Sequence, residues 1–156
     1  MSTDAELKQK FWKALADSPF VFLGRDGEPH SAVPMTAQLD KDATGKIWFF
    51  TTKDHPLAKM GPATATFSAK DNQLFARFSG MLTEEYSKER RKMEWSPMMD
   101  AWFPGGQDDP NLLMLRMDLG AAEIWNSDLG MVDNMKMLLG FDTRDDAKAE
   151  HTETLL

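Results

Sequence analysis

The chain has 156 residues and no cysteine, and its formal net charge at pH 7 is −7. Hydrophobic residues make up 42% and charged residues 28% of the sequence, which predicts a single globular domain and excludes a largely disordered chain. The acidic balance argues against a nucleic-acid partner, and the lack of cysteine excludes disulfides, thiolate metal sites and thiol nucleophiles.

The N-terminal segment predicts a helix and not a targeting sequence. Thr3 followed by Glu6 matches a capping box. Apolar residues then recur at helical spacing through about Ala16, namely Leu7, Phe11, Trp12 and Leu15. The segment lacks the basic and apolar regions of a signal peptide, and no window reaches the roughly 18–20 apolar residues of a membrane span. We therefore expect a cytoplasmic protein with no membrane partner.

The middle of the chain predicts short strands separated by turns. These strands are Phe20–Leu23, His30–Leu39, Ile47–Thr52, Ala63–Ala69 and Leu74–Glu85. Pro34 interrupts the second strand, and Gly80 indicates a bend or bulge in the fifth. Residues 56–60 fit a short helix. Turn signals at regular spacing favour a mainly β fold, an antiparallel barrel with helical caps, over its main alternative, a β-sandwich.

The C-terminal third predicts two more helices and two more strands. The elements are a helix from Ser87 to about Trp95, strands Leu112–Leu119 and Ala121–Trp125 hinged at Gly120, and a final helix from Ser127 or Asp128 to Gly140. We expect residues 1–141 to form one domain with N- and C-terminal helices. Residues 142–156 are polar and acidic, so we expect a frayed, flexible tail.

The segment Ala101–Pro110 combines aromatic residues with prolines and glycines, as Ala-Trp-Phe-Pro-Gly-Gly-Gln-Asp-Asp-Pro. Pro104 and Pro110 stop a helix on either side, and the paired glycines suit backbone angles with φ > 0. We therefore expect Trp102 and Phe103 on an irregular, rigid loop. Two interpretations remain open: the rings plug the protein's own core, or they face a flat ligand or a partner subunit.

Several common catalytic and metal-binding motifs are missing from the sequence. It has neither a Gly-x-Gly-x-x-Gly motif after a strand nor a Walker loop. The three histidines, His30, His55 and His151, are too scattered to predict a metal site. Asp108 and Asp109 are adjacent in a Pro/Gly loop, where acids more often face solvent or cap a turn than catalyse a reaction.

Hydroxyl groups at the end of the third predicted strand are followed by a lysine. Thr51 and Thr52 end the strand, and Lys59 follows one turn later. Hydroxyls and backbone N–H groups donate hydrogen bonds to a phosphate, and an ammonium group neutralises its charge. The segment therefore contains the parts of a phosphate site. The alternative is a Thr-rich turn with a solvated lysine.

Five short motifs follow one another along the chain. They are Pro34-Met35, Trp48-Phe49-Phe50-Thr51, Ser79-Gly80, Ala101–Pro110 and Glu123-Ile124-Trp125. In this order they resemble the pyridoxamine 5′-phosphate oxidase-like, flavin-binding split-barrel superfamily, and within it the general-stress-protein branch. The resemblance implies a six-stranded antiparallel Greek-key split barrel and a homodimer. It also implies FMN, or FAD or another flavin in its place, bound in two clefts at the dimer interface.

By position, the resemblance also implies a set of cofactor-binding residues. They are Val33, Pro34, Met35, Phe50, Thr51, Thr52, Lys59, Trp102 and Phe103. The first three would line the flavin with backbone groups, and the next three would reach its ribityl-phosphate region. Lys59 would neutralise the phosphate, and the last two would come from the partner subunit or the cleft wall. The resemblance implies no metal and identifies no catalytic residue.

The chain departs from the superfamily's pattern in two places. Val33 stands where flavin-binding members often carry a basic residue, and Lys53, Arg25 and His30 are the candidate substitutes for the lost phosphate partner. The C-terminal substrate motif of the true oxidase is not recognisable, so we do not predict vitamin B6 oxidation. Two hypotheses remain, a flavin-dependent oxidoreductase of unidentified substrate and a non-catalytic flavin-binding or storage protein. Haem or deazaflavin binding is less favoured.

Overall fold

A computed structural model describes residues 2–40, 44–127 and 150–156. The helices of this part are α1 (Asp4–Asp17), α2 (Lys88–Glu94) and α3 (Pro97–Trp102). The strands are β1 (Phe20–Arg25), β2 (Val33–Thr36), β3 (Lys46–Thr52), β4 (Gly61–Ser68), β5 (Leu74–Glu84), β6 (Leu112–Asn126) and β7 (His151–Leu155). Among the described residues, no helix has the length and apolar content to cross a bilayer. The final helix predicted from the sequence, up to Gly140, lies outside the described residues.

The strands form an antiparallel barrel that is nearly closed. Neighbours hydrogen-bond in the order β2–β1–β4–β5–β6–β3, and every pair is antiparallel. The chain after β2 then contacts β3, where Gln38 and Trp48 exchange two backbone hydrogen bonds of 2.8 and 3.1 Å. This contact joins the two ends of the strand order. The predicted fold class, a six-stranded split barrel, is therefore confirmed.

The long strand β6 joins the two halves of the barrel. It pairs with β5 along one edge, and along the other edge first with β3 and then with β7. The two strands predicted on either side of Gly120 form one continuous strand, so their predicted separation is wrong, although the partner on one edge changes there from β3 to β7. The predicted bulge at Gly80 is confirmed by a register shift between Phe78 and Gly80. A Cβ atom at Gly80 would lie 2.5 Å from the carbonyl oxygen of Asp118, so only glycine fits there.

The end of the chain is ordered. Residues 151–155, which the sequence predicts as part of a frayed tail, form β7 instead. The strand pairs with β6 from Trp125 opposite His151 to Ala121 opposite Leu155. The Asp4 carboxylate of α1 accepts hydrogen bonds from two β7 hydroxyls, at Thr152 and Thr154. The sequence gives little sign of this strand because its partner lies far back in the chain.

Helix α1 packs its apolar face on the barrel core. The predicted capping box is confirmed, with Thr3 and Glu6 exchanging side-chain-to-backbone hydrogen bonds. The buried residues of the helix are Leu7, Phe11 and Leu15. The Phe11 ring contacts Phe67 on β4 and Phe78 on β5, with centroids 6.0 and 5.5 Å apart. A fully buried phenylalanine contributes about 1.5–3 kcal/mol, so this helix is part of the core.

The outer face of the sheet changes character from one end to the other. One row of directly opposed residues crosses this face from β2 to β7. We call it the outer row, and its members are Pro34, Phe22, Thr66, Arg77, Glu123 and Glu153. Phe22 is 53% exposed at the apolar end, and its strand neighbour on the same face, Phe20, is 63% exposed. The other end of the row carries charge.

Candidate functional site

A tight turn fixes the start of β2, the strand expected to line the flavin. The Ser31 hydroxyl is buried, accepts a hydrogen bond from the Arg25 N–H at 2.8 Å and donates one to the Glu28 carbonyl at 2.6 Å. Gly24 allows the turn to approach β1 closely, since a Cβ atom there would lie 3.0 Å from Ala32. The turn therefore fixes the position of Val33, the first residue of β2.

Strand β2 offers backbone groups more readily than side chains. Val33 and Met35 are partly buried and pack on the core, whereas Pro34 points to the exposed face. Along Val33–Thr36 the strand pairs with β1 alone within the described residues, so its other edge is unpaired there. This geometry is compatible with the expectation that residues 33–35 meet a ligand through their backbone.

The end of β3 places its three predicted residues in different surroundings. Phe50 is partly buried and contacts the Trp95 ring edge-on, with centroids 5.5 Å apart. Thr51 is buried. The Thr52 hydroxyl donates to the Asp54 carboxylate at 2.6 Å, and this bond lowers the pKa of Asp54. Because the Thr52 hydroxyl already has an acceptor, it would have to exchange Asp54 for a phosphate.

A strained turn presents Lys59. Residues 56–59 form one turn of 3₁₀ helix, in which His55 Nδ1 accepts from the Leu57 N–H at 3.1 Å and the Leu57 side chain is fully buried. Met60 follows with φ 58° and ψ −160°, a conformation that residues other than glycine rarely adopt and that costs of order 1–3 kcal/mol. Lys59 is exposed at this strained end.

Arg25 shares the surroundings of Lys59. Its Nε donates to the Met60 carbonyl at 2.9 Å, and its Nη1 lies 2.7 Å from the Glu28 carboxylate. The pKa of Glu28 is lowered mainly by its hydrogen bond from Arg25, with a further contribution from the charge of Lys59. Two cations therefore lie beside one carboxylate, which leaves a net positive charge. Of the three candidate substitutes for a basic residue at position 33, Arg25 is the one held beside Lys59.

The aromatic segment differs from its prediction. Trp102 is the last residue of α3 and is 74% exposed, whereas Phe103 is 5% exposed and contacts Trp95 with centroids 6.1 Å apart. The prediction that both rings lie on an irregular loop is wrong for Trp102, because Pro97 starts a helix that reaches it. Phe103 is therefore buried, as the first interpretation expects, whereas Trp102 is exposed, and its contact with a ligand or a partner subunit stays a prediction.

Asp109 organises the loop that follows. Its two carboxylate oxygens accept from the N–H groups of Gly105 at 2.9 Å and Asn111 at 2.8 Å, and these bonds lower the pKa of Asp109. Gly106 has φ 66°, as the paired glycines predict, but Gly105 has φ −80°. This carboxylate therefore caps a turn, one of the roles expected for the acidic pair.

Arg90 links helix α2 to the barrel through side-chain contacts. Its guanidinium lies over the Trp48 ring and forms ion pairs with Asp40 and Glu94. The Trp48 Nε1 group in turn donates to Glu85 at 3.0 Å. Sequence analysis missed this cluster, although an arginine on the face of α2 opposite its exposed lysines was a signal that could have found it.

The predicted residues form two separate groups. Phe50 and Phe103 meet through Trp95, which was not predicted, whereas Lys59 lies with Arg25 and the turn before β2. Within the described residues no hydrogen bond, ion pair or ring contact joins these groups. A cavity of about 770 Å³ opens between α1 and the connection after β2, and none of the predicted residues lines it.

Comparison with known proteins gives the family. Residues 6–144 match the model of the family described as pyridoxamine 5′-phosphate oxidase like. No curated protein sequence matches. Solved structures that are similar include the general stress FMN/FAD binding protein from Xanthomonas citri, which is 42% identical with a TM-score of 0.73 over 81% of this chain and 93% of that one.

Two further structures extend the likeness. A protein assigned to the general stress family from Xanthomonas campestris pv. campestris is 41% identical, with a TM-score of 0.74 over 84% of this chain and 94% of that one. A protein assigned as general stress protein 26 from Jannaschia sp. CCS1 is 29% identical, with a TM-score of 0.79 over 99% of this chain and 100% of that one. The chain therefore belongs to the pyridoxamine 5′-phosphate oxidase-like family and to its general-stress branch.

Proposed function

We propose that this protein binds FMN in a cleft between two copies of the chain. The observation that carries the proposal is the pair of cations at the strained turn, Arg25 and Lys59, where the backbone of Arg25 also meets the turn before β2. The 42% identical Xanthomonas citri protein, a general stress FMN/FAD binding protein, supports the same ligand class.

The residues present fit the phosphate end of such a ligand. Lys59 supplies a mobile ammonium group, and Arg25 supplies a guanidinium group that the Met60 carbonyl and Glu28 hold in place. These charges replace the one missing at Val33. A charge-assisted hydrogen bond contributes about 1.5–3 kcal/mol, so each cation matters for affinity.

The ring end would be held by other parts of the chain. The free edge of β2 offers backbone N–H and C=O groups, which are suited to the polar edge of a flavin. Phe50 and Trp95 offer aromatic surface. A bound flavin supplies one- and two-electron redox chemistry, and the protein orients the ring and limits its contact with water.

We propose that the second copy of the chain docks on the apolar end of the outer row. Phe20 and Phe22 expose large rings side by side on β1, and Trp102 exposes another on α3. Exposed aromatic surface of this kind is typical of an interface between subunits. A two-fold dimer would also cover the open edge of β2.

The site favours a carrier over an enzyme with its own acid–base groups. The nine residues expected at the flavin include no histidine and no carboxylate, and the Asp109 carboxylate caps a turn. Any redox activity would therefore depend on the flavin and on an external electron donor. The carrier is the first proposal, and flavin-dependent oxidoreduction is the alternative.

An absorption spectrum of the freshly purified protein, followed by FMN titration, tests the proposal. We expect flavin bands or saturable FMN binding, with one FMN per chain. Bleaching of the bound flavin by NADH or NADPH would favour the oxidoreductase, and a flavin that stays oxidised would favour the carrier. A protein that neither retains nor binds flavin would refute both.

Light scattering tests the docking surface. The wild type should have the mass of a dimer, and Phe20→Ser combined with Phe22→Ser should produce a monomer that binds FMN weakly. Tyr86→Ser is the matched control, because Tyr86 is 77% exposed but lies outside β1. A monomeric wild type, or a dimer unaffected by the β1 changes, would contradict the surface.

A further inference from the structure

The charged end of the outer row brings together three metal-ligating side chains. Glu123 on β6 lies directly opposite Glu153 on β7, and His151 lies two residues before Glu153 on the same face. We call these three residues the β6–β7 cluster. One ligand atom from each lies within 4.8 Å of the other two. The convergence follows from antiparallel pairing, which places opposed and diagonal side chains on one face.

The imidazole of His151 has an unused nitrogen directed into this cluster. Nε2 is shielded from solvent and has no hydrogen-bond partner in the described part of the chain. It lies 3.8 Å from the Glu123 carboxylate, beyond hydrogen-bond distance. The ring stacks on Trp125, with centroids 5.3 Å apart and planes 26° apart. The stack holds the imidazole in one orientation, although a shielded nitrogen normally requires a partner.

The two carboxylates of the cluster are incompletely compensated. Like charges placed directly opposite in a sheet are destabilising. Arg77 lies 3.2 Å from Glu123 and is itself 54% exposed. The Glu153 carboxylate has no hydrogen bond or ion pair with any described residue. Two carboxylates therefore lie beside the imidazole, with one arginine to compensate them.

We propose that the β6–β7 cluster binds a divalent first-row transition metal ion such as Zn²⁺. One imidazole nitrogen and two carboxylates form a donor set that suits this ion, with water completing the coordination. Bonds of about 2.0–2.2 Å in a tetrahedral site place donor atoms roughly 3.3–3.6 Å apart. The present atoms lie within 4.8 Å of one another, so binding requires small rotations of these side chains. Glu123 has two oxygens, so one can bind the ion while the other keeps Arg77.

Metal binding at this position would fasten β7 to β6. Two of the three ligands lie on β7, which otherwise pairs with β6 along one edge and donates two hydroxyl hydrogen bonds to Asp4 of α1. An ion that binds only the folded state stabilises it in proportion to the logarithm of its concentration over Kd. The melting temperature of the metal-stripped full chain should therefore rise when Zn²⁺ is added.

Titration calorimetry of the EDTA-stripped, flavin-free full chain with ZnCl₂ tests the proposal. We expect one Zn²⁺ per chain, and an affinity at least about tenfold weaker in His151→Gln and in Glu153→Gln. His30→Gln is the matched control, because His30 is exposed and lies outside the cluster. Its affinity should equal that of the wild type.

Co²⁺ provides a second readout, because its visible absorption reports ligand number. We expect a spectrum in the wild type and in His30→Gln that is lost in His151→Gln. If His151→Gln fails to fold by circular dichroism, the exposed position Glu153→Gln carries the test. No binding of either ion by the wild type, or unchanged affinity in the folded cluster variants, would overturn the proposal.

Discussion

The guanidinium of Arg90 lies 4.3 Å from the centroid of the Trp48 ring, and this contact joins α2 to β3. Arg90→Ala removes the ring contact and leaves the Asp40 carboxylate without this cation. We expect the free energy of unfolding to fall by about 1–2 kcal/mol in urea denaturation. Lys92→Ala is the matched control: Lys92 is an exposed cation on the same helix, so the change should stay within about 0.5 kcal/mol. Equal losses in the two variants would contradict the role of Arg90.

A second prediction concerns two glycines at the bulge between β5 and β6, Gly80 and Gly120. Gly80→Ala places a Cβ atom 2.5 Å from the Asp118 carbonyl, so the paired strands must separate. We expect the free energy of unfolding to fall by about 1–3 kcal/mol, as measured by thermal or urea unfolding. Gly120→Ala should be neutral or slightly stabilising, because its nearest neighbour is 3.8 Å away and the residue does not need a left-handed backbone. A neutral Gly80→Ala would mean that the bulge is absent.

A third prediction is a pH dependence at Glu94. Burial raises the pKa of Glu94 above its ordinary value of 4.5, and Arg90 offsets only part of the rise. Because the folded state binds this proton more tightly, the contribution of Glu94 to stability is greatest below 4.5 and declines as pH rises through the folded pKa. Glu94→Gln removes the titration. Urea unfolding of both proteins should show the wild type losing stability relative to the variant on going from below 4.5 to pH 7, whereas a constant difference would contradict the raised pKa.

A fourth prediction tests the phosphate end of the proposed flavin site. Lys59→Ala should weaken FMN binding by about one to two decades and leave riboflavin binding almost unchanged, because only FMN carries the phosphate. Fluorescence titration measures both ligands. Lys53→Ala is the matched control. Lys53 is exposed like Lys59, but it directly follows β3 and does not lie on the strained turn. Equal losses for the two ligands, or none, would show that Lys59 is a solvated surface residue.

The sequence predicts those elements whose signals are local. The capping box at Thr3 and the bulge at Gly80 each depend on neighbouring residues, and each is present. β7 has no comparable local signal, because its pairing partner on β6 is more than two dozen residues away. Helix α3 was missed because six residues between prolines carry too little periodicity to detect.

The candidate site divides in the same way. Lys59 can be proposed from the sequence, because it lies in a turn that follows a strand. Arg25 can be chosen as the second phosphate-binding cation only from the structure, because the pairing of β1 with β4 brings it beside Lys59. Trp95 could not be singled out, since its contacts with Phe50 and Phe103 depend on how α2 and α3 return to the barrel. His151 falls in the segment predicted as a tail, and only strand pairing brings it to Glu123.

The left-handed backbone at Met60 makes the Lys59 turn depend on contacts outside itself. The conformation persists because Leu57 is buried and Arg25 holds the Met60 carbonyl. If either contact loosens, the peptide can relax and displace Lys59 while the barrel stays folded. We therefore expect residues 57–61 to open locally before the global transition, which amide hydrogen exchange would detect as low protection. A mild destabilisation of the core would then first become visible as a loss of ligand affinity.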